Sequence, residues 1–364
     1  MSQMQLHKNL LDEICQARDI AVLSLDEIKM YFLSESKIAA YAPDGYCQID
    51  PRNGDRIIFN TARARRPHDN LPKQAAGKQE TLRKECLICQ GKTTQILDVA
   101  PLSEGFTFIN KNLFPIFYPQ SHDEISSSSI KRTRVNGRGT KVEGYHFLQW
   151  SSSVHDKDWH NMPLDDRVIV IERLAALEKK MTSINHLFVS IIKNYGHLVG
   201  GSLVHGHQQI TASNVMPNRF VQDKKFQEDH REAFSRYMLN ENPDELIIKD
   251  YGPAILLTPY FMRRPFDMFL VLKDSKKAYF HQLDDKEIAA VADGWRDAIR
   301  IMNCIMPRIG KEVAYNVTTH NCPGTGLYFE FLPYTQEMGG FEHLGLFLCQ
   351  GNPLNSAQTA REML

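Results

Sequence analysis

The same order of elements occurs twice in this 364-residue chain, and the repetition limits its fold more than any single motif does. In the first copy a strand at 144–152 (GYHFLQWSS) precedes a helix opening at PLDDRVIVIERL, a strand at 186–192, a glycine turn and a further strand through Ile210. In the second copy a strand at 268–273 (MFLVLK) precedes a helix opening at QLDDKEIAAVADGW and strands at 313–317 and 326–332 (GLYFEFL). Such a duplication predicts an α+β fold of two related halves, each a mostly antiparallel sheet with helices packed on one face. The polar segment NENPD at 240–244 marks the junction. The expected organisation is a helical head over 1–47, an active half over 48–240 and a second half over 241–364. Matching Leu203 to Leu327 sets His205 opposite Phe329 and His207 opposite Phe331, so the second half is expected to be degenerate.

The stretch that carries chemistry runs from Lys193 to Ile210, KNYGHLVGGSLVHGHQQI. Its paired glycines allow a backbone to come close to a ligand. If the segment is a strand, Leu203, His205, His207 and Gln209 share one face. Two imidazoles and an amide on one edge, with Ser202 nearby, suit a phosphate or a metal. An isolated HxH is more often a pair of satisfied core histidines, so the reading depends on the rest of the chain.

Apolar residues make up 42% and charged residues 24%, and 43 basic residues balance 43 acidic ones. That balance gives no global pull toward nucleic acid or an anionic membrane. No apolar run approaches the ~20 residues of a membrane span, and no signal-peptide core opens the chain. The seven cysteines are an odd set in which Cys86 and Cys89 alone lie close together. This usage fits a reducing cytoplasm and one metal pair, not a disulfide framework.

The head has helical spacing over 9–21 and again over 24–32, read as packing or dimer-contact surface without chemistry. A turn at 51–55 leads to a strand at 56–59, and Arg63, Arg65 and Arg66 follow. Arginines there are either a solvated face or a phosphate fork. The ECLICQG segment is a CxxC knuckle preceded by a polar loop and followed by Gly91, which favours half a zinc site over a redox pair. An apolar strand from Phe106 ends at Asn112, whose amide can cap the turn or meet a base or ribose. His155 follows the strand at 144–152 as a loop histidine. Residues 218–239 carry a weak helical stripe.

Taken in order, RARRP, the CxxC, the FxxNxFP-like strand end, His155, KNYG with GGSxxHxHxQ, and a late GGFE resemble the galactose-1-phosphate uridylyltransferase branch of the histidine-triad (HIT) superfamily. That branch includes the sugar-nucleotide phosphorylases, and the likeness covers roughly residues 48–362. It implies duplicated HIT-like halves and a nucleotidyltransferase that works by ping-pong transfer of a nucleoside monophosphate. In that pattern His207 is the nucleophile that forms a nucleotidyl-histidine, Gln209 bonds a phosphate oxygen and Ser202 contacts phosphate. Arg63 and Arg66 match the phosphate-binding end, Asn112 the nucleoside side and Asn194 a nucleotide ligand. Gly201 and Gly206 would offer backbone N–H groups.

Cys86, Cys89, His155 and His205 match a structural zinc set, closed and without a catalytic position. The implied partners are a nucleoside diphosphate sugar with a hexose 1-phosphate or inorganic phosphate, and the resemblance allows a homodimer. Two departures stand out. Gly206 replaces a usual proline, and the glutamate and glutamine that recognise galactose have no counterpart after GGFE. A phosphorylase is therefore the alternative enzyme reading. A zinc-stabilised nucleotide-binding protein is the non-enzymatic one.

Overall fold

The computed structural model describes residues 12–14, 16–17, 19–39, 41–42, 45–60, 86–119 and 139–364. Arg63, Arg65 and Arg66, and residues 9–11, 15 and 18 of the first head helix, lie outside these residues. The chain forms two compact units. The first comprises Met1–His155, Arg173–Ile191 and His207–Val221. The second comprises Asp156–Glu172, Ile192–Gly206 and Gln222–Leu364. Among the described residues no helix is long and apolar enough to cross a membrane. No disulfide joins the described cysteines.

In the first unit, helix α1 (Leu25–Ser34) begins at Ser24, whose hydroxyl accepts from the Glu27 N–H while Glu27 reaches back to the Ser24 N–H. This capping box satisfies two helix donors that would otherwise lack partners. Strands β1 (Tyr46–Ile49), β2 (Arg56–Phe59) and β5 (Thr140–Lys141) form a small antiparallel sheet in the order β2-β1-β5. Strands β3 (Ile96–Pro101), β4 (Phe106–Lys111), β6 (Gly144–Trp150) and β8 (His207–Ser213) are hydrogen-bonded antiparallel in the order β3-β4-β6-β8.

Side chains alternate across that sheet. On one face the Phe32 ring of α1 meets Tyr145 and Phe147 edge-on, each at 5.3 Å. Lys111 on the same side donates to the Tyr31 carbonyl near the C-terminus of α1 at 2.6 Å. Helix α2 (Leu164–Thr182) sends Arg173 onto the buried Asp98 carboxylate, which also accepts the Ile20 N–H at 2.9 Å and so fastens the head segment. Asp165 and Asp166 both lie inside the first turn of α2, where negative charge complements the helix dipole.

In the second unit, the end of β7 (Phe188–Tyr195) pairs with β12 (Tyr315–His320). The order continues through β13 (Tyr328–Pro333), β11 (Met268–Leu272), β10 (Ala254–Leu257) and β9 (Ile247–Asp250), antiparallel throughout. Helix α5 (Asp285–Arg308) starts at Asp284, a true N-cap with Glu287 completing the box. Its Trp295 packs edge-on against Phe329 at 5.6 Å and Phe331 at 5.7 Å. Gly294 lets helix and sheet approach closely, because a Cβ there would lie 2.5 Å from a Leu270 methyl.

The expected single helix over 218–239 is two, α3 (Asn218–His230) and α4 (Phe234–Glu241). Between them Arg231 takes a left-handed φ of 59°, which ends the first helix. Met238 of α4 packs with Phe269, Val271 and Tyr328, so this sheet carries α4 on the face away from α5. Helix α6 (Pro353–Glu362) ends the fold, capped by Asn352.

Strand parity also corrects the expected match of the two copies. Phe329 and Phe331 face α5, so the polar face of β13 belongs to Tyr328 and Glu330, one residue out of the expected register. There His320 sits between two carboxylates, with Nδ1 2.9 Å from Asp223 and Nε2 3.1 Å from Glu330. The Tyr328 ring stacks on His320 at 4.0 Å and its hydroxyl donates to Asp223. Burial disfavours the charged imidazole, but the bonds to Asp223 and Glu330 outweigh it and raise the pKa to about 9. A raised folded-state pKa contributes stability that is full below the ordinary value near 6.5 and is lost as pH rises through about 9. The unfolding free energy, read by urea titration, is expected to fall by on the order of 2–3 kcal/mol more between pH 6.5 and 9 in the parent than in His320→Gln. Equal slopes in the two proteins would refute the linkage.

Candidate active site

The HxH segment does not continue as one strand. A short helical turn at His197–Val199 is followed by irregular chain, and β8 begins only at His207. Leu203 and His205 therefore lie outside the strand, and the expected four-residue face reduces to His207 and Gln209. The reason is the glycine turn. Gly196 and Gly200 adopt φ of 90° and 82°, conformations that favour glycine. The Gly200 N–H donates to the His197 carbonyl and the Gly201 N–H to the Gly196 carbonyl at 2.9 Å. The Gly201 N–H, expected to serve a ligand, is thus taken inside the turn.

From His207 onward the pairing with β6 fixes orientation. His207 stands opposite Trp150, Gln209 opposite Leu148 and Thr211 opposite His146. His207 is buried, and its ring lies against the Trp150 indole with centroids 4.9 Å apart. The indole is itself held by the Asn110 carbonyl oxygen at 2.9 Å. Gln208 points the other way and is fully buried, donating to Gln149 Oε1 at 2.8 Å.

Gln209 is partly exposed, and its Oε1 lies 3.1 Å from His146 Nε2. Asn112 follows β4 and caps the turn, its Oδ1 accepting the Phe114 N–H at 2.8 Å, while its Nδ2 lies 3.1 Å from the same His146 nitrogen. The face thus collects Asn112, His146, Trp150, His207 and Gln209. Trp150 and His146 were missed in the sequence. Alternation along GYHFLQW put them on one face, but only the cross-strand register showed that it is the face of His207.

The remaining expected residues are placed as follows. Ser202 is partly buried in the irregular segment. Asn194, near the end of β7, accepts from Asn316 Nδ2 at 2.7 Å. Gly206 was expected to offer its N–H, but the structure supplies a steric reason for glycine: a Cβ there would lie 2.6 Å from Asp158 Cγ. Asp158 is buried and paired with the buried Lys193 at 2.7 Å. Burial pushes the Asp158 carboxyl up, and the Lys193 ammonium outweighs that and holds it below its ordinary value. Glu342 of the GGFE motif bonds the N–H groups of Gly339 and Leu348.

Cys86, Cys89, His155 and His205 come together from three stretches of sequence, and their donor atoms all lie within 4.8 Å of one another. Cys89 Sγ and His155 Nδ1 are 3.4 Å apart. A tetrahedral ion with bonds of about 2.3 Å to sulfur and 2.0 Å to nitrogen needs sulfur–nitrogen edges of roughly 3.5 Å, so the donor set fits. The knuckle is a tight turn, with the Gln90 N–H donating to the Cys86 carbonyl and Gly91 at φ 70°. The cluster can hold a metal ion.

No family model matches the chain. It is similar to an ADP-glucose phosphorylase of Arabidopsis thaliana, 23% identical over 332 residues, which are 86% of this chain and 92% of that protein. It is also similar to a galactose-1-phosphate uridylyltransferase of Schizosaccharomyces pombe, 22% identical over 66% of this chain and 69% of the relative. A solved uridylyltransferase structure superposes with a TM-score of 0.65 over 87% of this chain and 98% of its own, at 17% identity. The resemblance to the galactose-1-phosphate uridylyltransferase branch, with its sugar-nucleotide phosphorylases, therefore holds in sequence and in fold.

Cys86→Ser is expected to lower bound metal and the melting temperature together, and chelation of the parent to reproduce the second effect. Full metal content by elemental analysis of the variant would exclude this ligand set. Gly206→Ala is expected to destabilise the protein by about 1–3 kcal/mol in urea, because the methyl meets Asp158. An unchanged midpoint would refute the steric account.

Proposed function

We propose that this chain is a nucleotidyltransferase that moves a nucleoside monophosphate from a nucleoside diphosphate sugar through a covalent intermediate on His207. The observation that carries the proposal is the shared face of β8, where the His207 ring is backed by Trp150 and the Gln209 amide stands two residues further on. In the first step a ring nitrogen of His207 attacks the α-phosphorus. The N–P bond forms, the bond from that phosphorus to the bridging oxygen breaks, and hexose 1-phosphate leaves with the electron pair. In the second step an acceptor phosphate oxygen attacks the same phosphorus, the N–P bond breaks and the imidazole is restored. Imidazole suits both roles, as a neutral nucleophile near pH 7 and a good leaving group. Gln209 and Ser202 would donate to the phosphate oxygens, and Arg63 and Arg66 would neutralise the diphosphate. Asn112 and Asn194 would meet the nucleotide.

We assign zinc to the Cys86, Cys89, His155 and His205 cluster in a structural role. Four protein donors close the coordination sphere, and binding there fixes the chain two residues before His207. The acceptor we favour is a hexose 1-phosphate. The similarity to an ADP-glucose phosphorylase over 92% of that relative supports a second reading, with inorganic phosphate as acceptor.

Intact-protein mass spectrometry after incubation with UDP-glucose or ADP-glucose, without acceptor, tests the mechanism. One nucleoside monophosphate adduct is expected on the parent and none on His207→Ala, and the donor that labels names the base. Chasing the adduct with galactose 1-phosphate or with phosphate identifies the acceptor. Turnover retained in His207→Ala would sink the mechanism.

A further inference from the structure

His146 occupies the centre of the candidate face and has no role in the reaction described so far. It is 1% exposed and belongs to β6, opposite Thr211. Its Nδ1 receives the backbone N–H of Ile116 at 3.1 Å. A backbone N–H can only donate, so Nδ1 must be the acceptor and the ring proton must sit on Nε2. Gln209 Oε1, 3.1 Å away, accepts that proton. The contact settles which way the Gln209 amide points: oxygen toward the histidine, NH2 away from it. Among the described residues no protein acceptor takes the Gln209 Nε2 hydrogens.

Asn112 is sorted by the same logic. Its Oδ1 is taken by the Phe114 N–H at 2.8 Å, which turns Nδ2 toward His146 Nε2. A protonated Nε2 cannot accept from it, so the Asn112 N–H groups are also left for an acceptor outside the trio. An oxyanion beside His207 would supply acceptors for amides arranged in this way.

We propose that His146 is a positioning residue that holds Gln209 donor-side outward toward the phosphate subsite. The inference rests on the reading that Gln209 meets a phosphate. Without the bond from His146 the amide would also populate the flipped orientation, oxygen toward the phosphate, and binding would have to select against it. His146 removes that choice without touching the substrate.

The test is a double-mutant cycle on the full chain. Dissociation constants for ADP and UDP are measured by calorimetry on the parent, Gln209→Ala, His146→Phe and the double variant. Melting temperatures confirm that each is folded. His146→Phe keeps the ring and removes the donor, and about tenfold weaker binding of the preferred nucleotide is expected. The double variant is expected to bind no more weakly than Gln209→Ala alone. His146→Gln, whose own amide can donate to Gln209 Oε1, should recover most of the loss if it folds. Additive losses, or unchanged binding in His146→Phe, would overturn the proposal, as would failure of the parent to bind either nucleotide. Because the cycle reads binding and not chemistry, a parent that binds nucleotide but forms no adduct would refute the covalent mechanism while the cycle still decides the role of His146.

Discussion

The candidate site depends on the register between β6 and β8. Side chains alternate along both strands, so a slip of one residue would exchange the two faces completely. Gln208 and Ile210 would then face the site, and His207 and Gln209 would enter the packed layer behind it. Three contacts on the far face oppose that slip. Ile210 and Phe147 are fully buried there, and the Gln208 amide donates to Gln149 Oε1 across the strands. A buried amide pair of this kind adds little net stability, but leaving either amide alone would cost its full desolvation. The pair therefore works as a register lock, and its uncommon place in a strand interior follows from that.

Position 206 joins two demands that meet in three residues. His205 gives a donor to the cluster that can hold a metal ion, and His207, the proposed nucleophile, opens β8. The residue between them must let the chain turn from irregular to extended beside the buried Asp158–Lys193 pair. Proline would fix the backbone, and any side chain would enter the space of the carboxylate. Glycine is required by what stands next to it. Breaking a buried pair by removing one partner costs roughly 3–5 kcal/mol, so this neighbourhood has little freedom to drift.

Much of this was legible in the sequence because it is periodic or local. The strands of both copies, the Ser24 and Asp284 helix starts and the knuckle of Cys86 and Cys89 each depend on a few adjacent residues. The metal cluster was reachable through a family pattern, since no spacing rule ties Cys89 to His155. Three features were out of reach. The end of α3 at Arg231 depends on a backbone conformation that a charged side chain does not announce. The extent of β8 depends on hydrogen bonds within the glycine turn, so the strand starts at His207, four residues later than the pattern suggested. The role of Phe329 and Phe331 depends on which face α5 covers, and that is a tertiary fact.

On the proposed two-step route, the groups around His207 cannot choose the acceptor. Hexose 1-phosphate and inorganic phosphate both bring a phosphate oxygen to the same phosphorus, and the transition states differ only in what the attacking phosphate carries. His207, Gln209 and Ser202 act on the shared part, so their loss lowers both transfers alike. Discrimination has to come from side chains that meet the hexose or close off its place, and each such contact is worth only about 1–3 kcal/mol unless it leaves a buried polar group unpaired when the sugar is absent. A chain of this kind can therefore move between transferase and phosphorylase activity with its nucleophile, its phosphate contacts and its metal cluster unchanged. Similarity of the chain to relatives of both names accords with this physics.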